Sequence, residues 1–251
     1  MSSGQDGKTE TQLTLDLPVA PRFGREDFLL APSNRAAFEL VERWPDWPAH
    51  IVALAGPEGA GKSHLGAIWA ERAHAAVAAA RDLRVEDVPA LANAGTVLLE
   101  DTGQGAIPER ALFHLINAIR EAGGYLLLTC RTSPAEWNVA IPDLKSRLRL
   151  APVAEIGAPG DDLVRAVLMK LFVDRQLTVD APVIDFLMLR IERSLAAARR
   201  IVELLDREAL ARGRAVTRPM ASEVLASETR TAGDANVDAP GDGAATSAAA
   251  G

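Results

Sequence analysis

Gly56-Pro57-Glu58-Gly59-Ala60-Gly61-Lys62-Ser63 is the stretch that decides the fold. It fits G-x-x-x-x-G-K-[ST], the phosphate-binding loop. Glycines at this spacing let successive backbone N–H groups turn inward around an anion. The helix that starts at the loop adds the positive end of its dipole. In such a loop Lys62 reaches the β- and γ-phosphates and the Ser63 hydroxyl ligates Mg²⁺. His50 to Ala55 is a short apolar run that reads as a buried strand entering the loop, and Leu65 to Ala70 leaves it with helical spacing. The plain alternative is a glycine-rich turn with an incidental Lys-Ser pair, and the flanking strand and helix count against it.

Outward from the loop the chain alternates. A helix is predicted at about 33–43, with Ser33 as its N-cap, and the helix after the loop at about 62–78. Thr96 to Leu99 reads as a second strand. Residues 108–121 read as a helix with Pro108 in its first turn and Gly123-Gly124 behind it. Tyr125 to Thr129 is a third strand and Leu148 to Val153 a fourth. Strands alternating with helices predict an α/β fold, a parallel sheet sandwiched by helices. After Gly157 the pattern becomes purely helical, with a 3.6-residue stripe through Leu163, Val164, Val167, Leu168, Leu171 and Phe172. Residues 181–192 and 196–212 repeat it, and Thr217 opens a last short helix. The expected organisation is a flexible arm at 1–21, an α/β nucleotide-binding domain at 22–157, a small all-helical lid at 158–227 and a disordered tail at 228–251, rich in Ala, Gly, Asp, Thr and Ser.

Composition bounds the rest. With 251 residues and 48% hydrophobic content, the chain can build one large or two modest cores. A net charge of −7 argues against a dedicated nucleic-acid surface. A single cysteine, Cys130, excludes an internal disulfide framework and fits a reducing compartment. No apolar run approaches the ~18–20 residues of a membrane helix, and Met1 to Glu10 is polar. A cytoplasmic protein with no membrane contact is therefore expected.

The second strand ends in Glu100-Asp101, the Walker B arrangement: one carboxylate holds Mg²⁺ and the other orients an attacking water. The common order begins with Asp; here Glu comes first, and the division of roles between the two stays open. Thr129-Cys130-Arg131-Thr132 closes the third strand, where a polar group would lie between loop and acids; a simple strand exit is the other reading. Cys130 reads as a buried structural thiol. Arg147, in Asp143 to Arg149, is either an arginine that completes a neighbour's site or a surface ion-pair residue. Arg199 either reaches back from the lid to phosphates or lies on a solvated helix face. Gln12-Leu13-Thr14-Leu15-Asp16-Leu17 alternates apolar and polar residues, as an edge strand or as a linear motif whose leucines fill a partner's pocket. The tryptophans of Trp44-Pro45-Asp46-Trp47-Pro48 read as structural.

Together these segments resemble one family. Ser33-Asn34, Gly56 to Leu65, the acid-ended strand, Leu127-Leu128-Thr129, Leu144-Lys145-Ser146-Arg147-Leu148 and Ala198-Arg199 look like the AAA+ module of the bacterial replication initiator DnaA, over about residues 22–226. The loop is generic to many NTPases; the L-K-S-R segment and the Ser-Asn entry are more specific. DnaA carries a further N-terminal domain and a C-terminal helix-turn-helix, neither of which is matched. Residues 12–17 are instead similar to the Q-L-x-L-x-L motif that binds the β sliding clamp of DNA polymerase III. The combination resembles the Hda type of DnaA-related AAA+ regulatory inactivator. Arg43 to Pro48 and the Ala-rich tail resemble its alphaproteobacterial form, HdaA.

The resemblance implies a regulator of replication initiation that is nucleoid- and replisome-associated, holds ADP or ATP with Mg²⁺, binds the clamp through Gln12, Leu13, Leu15 and Leu17, and stimulates ATP hydrolysis by DnaA. It implies Arg147 as an arginine finger in trans and Arg199 as a sensor arginine in cis. Gly56, Pro57, Glu58, Gly59, Ala60, Gly61, Lys62, Ser63 and His64 would hold the nucleotide, Phe28, Leu29 and Asn34 the adenine, and Ser63, Glu100 and Asp101 the Mg²⁺. Head-to-tail homo-oligomers are within the family's habit, and sequence-specific DNA contact is not expected. Whether the chain is itself an enzyme stays open. The alternatives are a self-standing AAA+ ATPase such as a helicase loader, or a P-loop kinase; the helical domain and Arg199 favour AAA+ over the kinase.

Overall fold

The computed structural model describes residues 24–235. Five strands form one parallel sheet: β1 (Ile51–Ala55), β2 (Ala76–Ala79), β3 (Thr96–Thr102), β4 (Tyr125–Cys130) and β5 (Val153–Glu155), in the order β2-β3-β4-β1-β5. Around it lie α1 (Arg35–Glu42), α2 (Lys62–Ala73), α3 (Val88–Asn93), α4 (Glu109–Glu121) and α5 (Pro142–Leu150). The lid follows as α6 (Asp161–Asp174), α7 (Ala181–Met188), α8 (Leu195–Arg212) and α9 (Arg218–Ala235). The expected parallel α/β sheet is present.

Strand side chains alternate between two layers because successive residues point to opposite faces. Val52, Leu54, Leu98 and Leu127 face α1 and α2, where they join Val41, Leu65, Ile68 and Trp69. Ala53, Val97, Leu99, Leu126 and Leu128 face the other way and pack with Leu112, Leu115, Ile116 and Ile119 of α4 and Leu144 and Leu148 of α5. Both faces are covered, so the strands carry fully apolar stretches at Ile51–Ala55, Val97–Leu99 and Leu126–Leu128. Trp47 stacks on Trp69 at 5.1 Å, and Trp44 meets the same ring edge-on at 6.3 Å. The tryptophan pair between prolines is structural. The lid has a separate core of Leu163, Leu168, Phe172, Leu187, Ile201 and Leu205, against which Leu29 and Ala31 also pack.

Four boundaries differ from the sequence expectation. The helix after the loop stops at Ala73, because His74 turns left-handed (φ 49°), and Ala76–Ala79 is the edge strand β2. Leu148 to Leu150 belong to α5, and β5 begins only at Val153, after Pro152 breaks the helix. Asn34, not Ser33, is the N-cap of α1. The last helix is not short: α9 continues through Ala235, into the segment whose composition suggested a tail, and Arg200 of α8 pairs with Glu228 on it.

Candidate nucleotide site

The phosphate loop joins β1 to α2 at the carboxyl end of the sheet, where ligands bind in open parallel sheets. Two of its glycines are required by contact. A Cβ on Gly56 would lie 2.2 Å from the Ile156 carbonyl oxygen, so only glycine lets the loop pass the chain leaving β5. At Gly59 the backbone is left-handed (φ 70°) and a Cβ would lie 2.6 Å from Ser194 Cβ. Ser194 caps α8, accepting from the Ala197 amide at 3.0 Å, and the Leu195 amide donates to the Gly59 carbonyl at 2.8 Å. The first turn of the lid helix thus rests directly on the phosphate loop.

Lys62 is buried, and its Nζ donates to the Gly56 and Pro57 carbonyls at 2.8 Å each. Burial pulls its ammonium below the usual lysine value, while Cys130, Asp101 and Glu58 pull it upward. Glu58 forms an ion pair with Arg131, which ties the loop to the end of β4. Sequence reasoning missed this pair, since nothing in the spacing connects residues so far apart in the chain.

Ser63 and Glu100 line one groove of about 470 Å³ between α2 and the β2–β3 edge. Alternation explains the meeting: Leu98 faces α2, so Glu100 does too. Asp101 leaves the strand in a left-handed conformation (φ 56°), with its amide donating to Thr129 Oγ1 at 3.0 Å and its carboxylate accepting from Gln104 at 2.9 Å. The two acids therefore diverge: Glu100 lies with Ser63 and Asp101 is directed to Gln104. Thr129 is buried and bonded to Asp101, which makes it a support for the acidic turn. Among the described residues no three acidic, histidine or cysteine side chains are placed to hold a metal by themselves. Hydroxyl and carboxylate are hard oxygen donors that fit Mg²⁺ when phosphates supply the other ligands. Cys130 is buried, its thiol pushed up to about 12 by burial, and it is inert as a nucleophile.

Arg199 projects from α8 to His64, with its Nη2 2.9 Å from His64 Nδ1, and Asp27 draws on the same guanidinium. Burial lowers its pKa. His64 follows Ser63 directly, so the lid arginine stands beside the first turn of α2. Phe28 meets the His64 ring edge-on at 5.2 Å and stacks on Phe38 at 5.5 Å. Leu29 packs with the lid core. Asn34 is spent on its own turn: Oδ1 accepts from the Ala31 amide at 2.8 Å and Nδ2 donates to the Leu29 carbonyl at 2.9 Å. Phe28, Leu29 and Asn34 therefore form a connected wall between loop and lid, with Asn34 in a shaping role.

Arg147 lies elsewhere. Its guanidinium donates to Asp143 one turn earlier on α5, at 3.0 and 3.1 Å, and stands over the Phe113 ring of α4 at 5.7 Å. The structure joins the loop helix to Arg199 and Phe28 through His64 and puts Glu100 in a groove with Ser63, whereas the contacts of Arg147 are to Asp143 of α5 and Phe113 of α4. Residues 12–17 lie outside the described residues. No described helix is long and apolar enough to cross a membrane.

No protein-family model matches the chain. An uncharacterised protein of Haemophilus influenzae is 30% identical over 118 residues, which is 47% of this chain and 51% of that protein. The chain thus spans about half the length of this curated relative. Among solved structures, domain III of the Thermotoga maritima replication initiation protein DnaA superposes with a TM-score of 0.69 at 17% identity, covering 84% of this chain and 98% of that one. AMPPCP-bound DnaA from Aquifex aeolicus gives 0.64 at 19% identity, covering 86% and 71%. The Thermotoga maritima Holliday junction branch migration motor RuvB gives 0.58 at 14%, covering 78% and 66%. The chain has the AAA+ fold that these proteins share, and it spans nearly the whole of the DnaA domain.

Proposed function

We propose that this chain is a nucleotide-binding AAA+ regulator of bacterial replication initiation, of the Hda type. In this reading it docks on the β sliding clamp through Gln12, Leu13, Leu15 and Leu17 and stimulates ATP hydrolysis by DnaA. The observation that carries the reading is the separation of its two arginines. Arg199 meets the phosphate-loop helix of its own chain, whereas Arg147 is braced by Asp143 of α5 and Phe113 of α4. An arginine braced away from its own loop suits a neighbour's nucleotide. Such a residue is worth about 10³- to 10⁵-fold in hydrolysis rate.

Within the chain, Lys62 and the loop amides hold the phosphates of ADP or ATP, and Arg199 reads them from the lid. Ser63 and Glu100 hold Mg²⁺, which neutralises phosphate charge when bound. A clamp peptide is a weak anchor by itself, and tethering both partners to one clamp raises their effective concentration. The net charge of −7 fits, since DNA is approached through the clamp. A second reading, a self-standing ATPase, draws on the shared groove of Ser63 and Glu100.

The test is to mix the protein with ATP-bound DnaA and clamp-loaded DNA and follow phosphate release. Acceleration that needs both clamp and DnaA is expected; release by this chain alone would favour the second reading, and no release above that of DnaA would reject the first. Changing Gln12, Leu15 and Leu17 to Ala abolishes clamp pull-down, and undiminished capture would sink the clamp assignment.

A further inference from the structure

We propose that His64 is a mechanical coupler: it links the nucleotide-reading arginine of the lid to the root of the N-terminal arm, so that nucleotide occupancy sets the freedom of residues 24–28. The inference rests on the reading of Arg199 as a phosphate contact and goes beyond it in naming where that contact is transmitted.

His64 is 4% exposed and uses both ring nitrogens. Arg199 Nη2 is 2.9 Å from Nδ1, and the Gly24 carbonyl is 3.1 Å from Nε2. Guanidinium only donates and carbonyl only accepts. One neutral tautomer therefore satisfies both: Nδ1 accepts from Arg199 and Nε2–H donates to Gly24. The neutral ring is thus the resting form.

The root it holds spans both halves of the molecule. The Asp27 amide also donates to the Gly24 carbonyl, at 3.1 Å, and the Phe28 amide to the Arg25 carbonyl at 3.2 Å. Asp27 is paired with Lys170 of the lid at 2.7 Å, Arg25 with Glu42 of α1 at 3.0 Å, and Phe28 packs on His64 itself. Drawing Arg199 toward a bound phosphate takes away the donor that fixes the imidazole tautomer and ring orientation. The bond to Gly24 weakens with it, and the short turn at 24–28 loosens. Linkage requires the converse: whatever constrains the arm changes nucleotide affinity by the same factor.

The experiment is hydrogen–deuterium exchange of the Asp27 and Phe28 amides in the full chain, with and without Mg·ADP, at concentrations that saturate each variant by calorimetry. In the wild type ADP should speed exchange roughly tenfold, the value of about one well-made neutral hydrogen bond. His64→Leu removes both bonds, so these amides should exchange fast without ADP and respond no further. His64→Gln keeps an acceptor for Arg199 and a donor for Gly24 and should restore the ADP response, which guards against a merely misfolded His64→Leu. A full ADP response in His64→Leu, or a wild type that binds ADP with no change at Asp27 and Phe28, overturns the coupling alone. A wild type that does not bind ADP overturns the nucleotide reading together with it.

Discussion

Arg199 and Arg147 carry the same side chain in two different settings, and the comparison of those settings is what the proposed function rests on. Arg199 is drawn in: the lid helix touches Gly59, and its guanidinium meets His64 at the start of the phosphate-loop helix. Arg147 is braced within α5 by Asp143 and over Phe113. The lesson is that what fixes a guanidinium limits what it can serve. On the proposed function, the one held at the loop's own helix would report on that loop, and the one braced by α5 and α4 would be preorganised for a phosphate that another molecule brings.

The contrast breaks most visibly at Arg147. Arg147→Ala should cut stimulation of DnaA hydrolysis by about 10³-fold while ADP affinity stays as in the wild type; a matching loss of ADP affinity would mean that Arg147 serves its own loop. Next comes Lys62→Ala, which removes the buried ammonium from the loop and should weaken ADP binding roughly a hundredfold in calorimetry, two charge-assisted hydrogen bonds' worth. Equal affinity would remove the loop from the argument. Arg199→Ala should weaken ADP binding about tenfold and leave stimulation intact once nucleotide is saturating, which separates the inner arginine from the outer one in a single pair of assays.

The smallest effect is in pH. His64 is held below the ordinary imidazole value of about 6.5, chiefly by burial. The unfolded chain then takes up the proton first, so stability is full above that value and falls as the solution is acidified through it. Thermal melts at about pH 7.5 and about pH 5.5 should show a larger loss for the wild type than for His64→Gln, which has no proton to gain. Equal losses would remove His64 from the junction's energetics.

Much of the α/β half was legible along the chain. Gly56 to Ser63 announces itself because phosphate binding needs closely spaced glycines, and the apolar runs at 51–55, 96–99 and 125–129 are short because covered strands are short. Other elements were not. Ala76–Ala79 has helical composition, and only the left-handed turn at His74 and pairing with β3 make it a strand. Leu148 to Val153 carries a helix end and a strand start that one apolar run does not separate. Ser33 and Asn34 are both good caps, and the choice fell to Asn34, whose amide closes the turn back to Leu29 and Ala31.

By itself the sequence determined that a phosphate loop lies between a buried strand and a helix, that acids end the next central strand, and that a helical domain follows. These follow from local periodicity and from chemistry carried by neighbouring residues. Tertiary structure alone decided that Glu100 rather than Asp101 shares a groove with Ser63, that Glu58 pairs with Arg131, and that His64 joins Arg199 to Gly24. Each joins residues far apart in the chain or turns on a backbone twist such as that at Asp101, and no periodicity along one segment encodes which distant side chain will meet it.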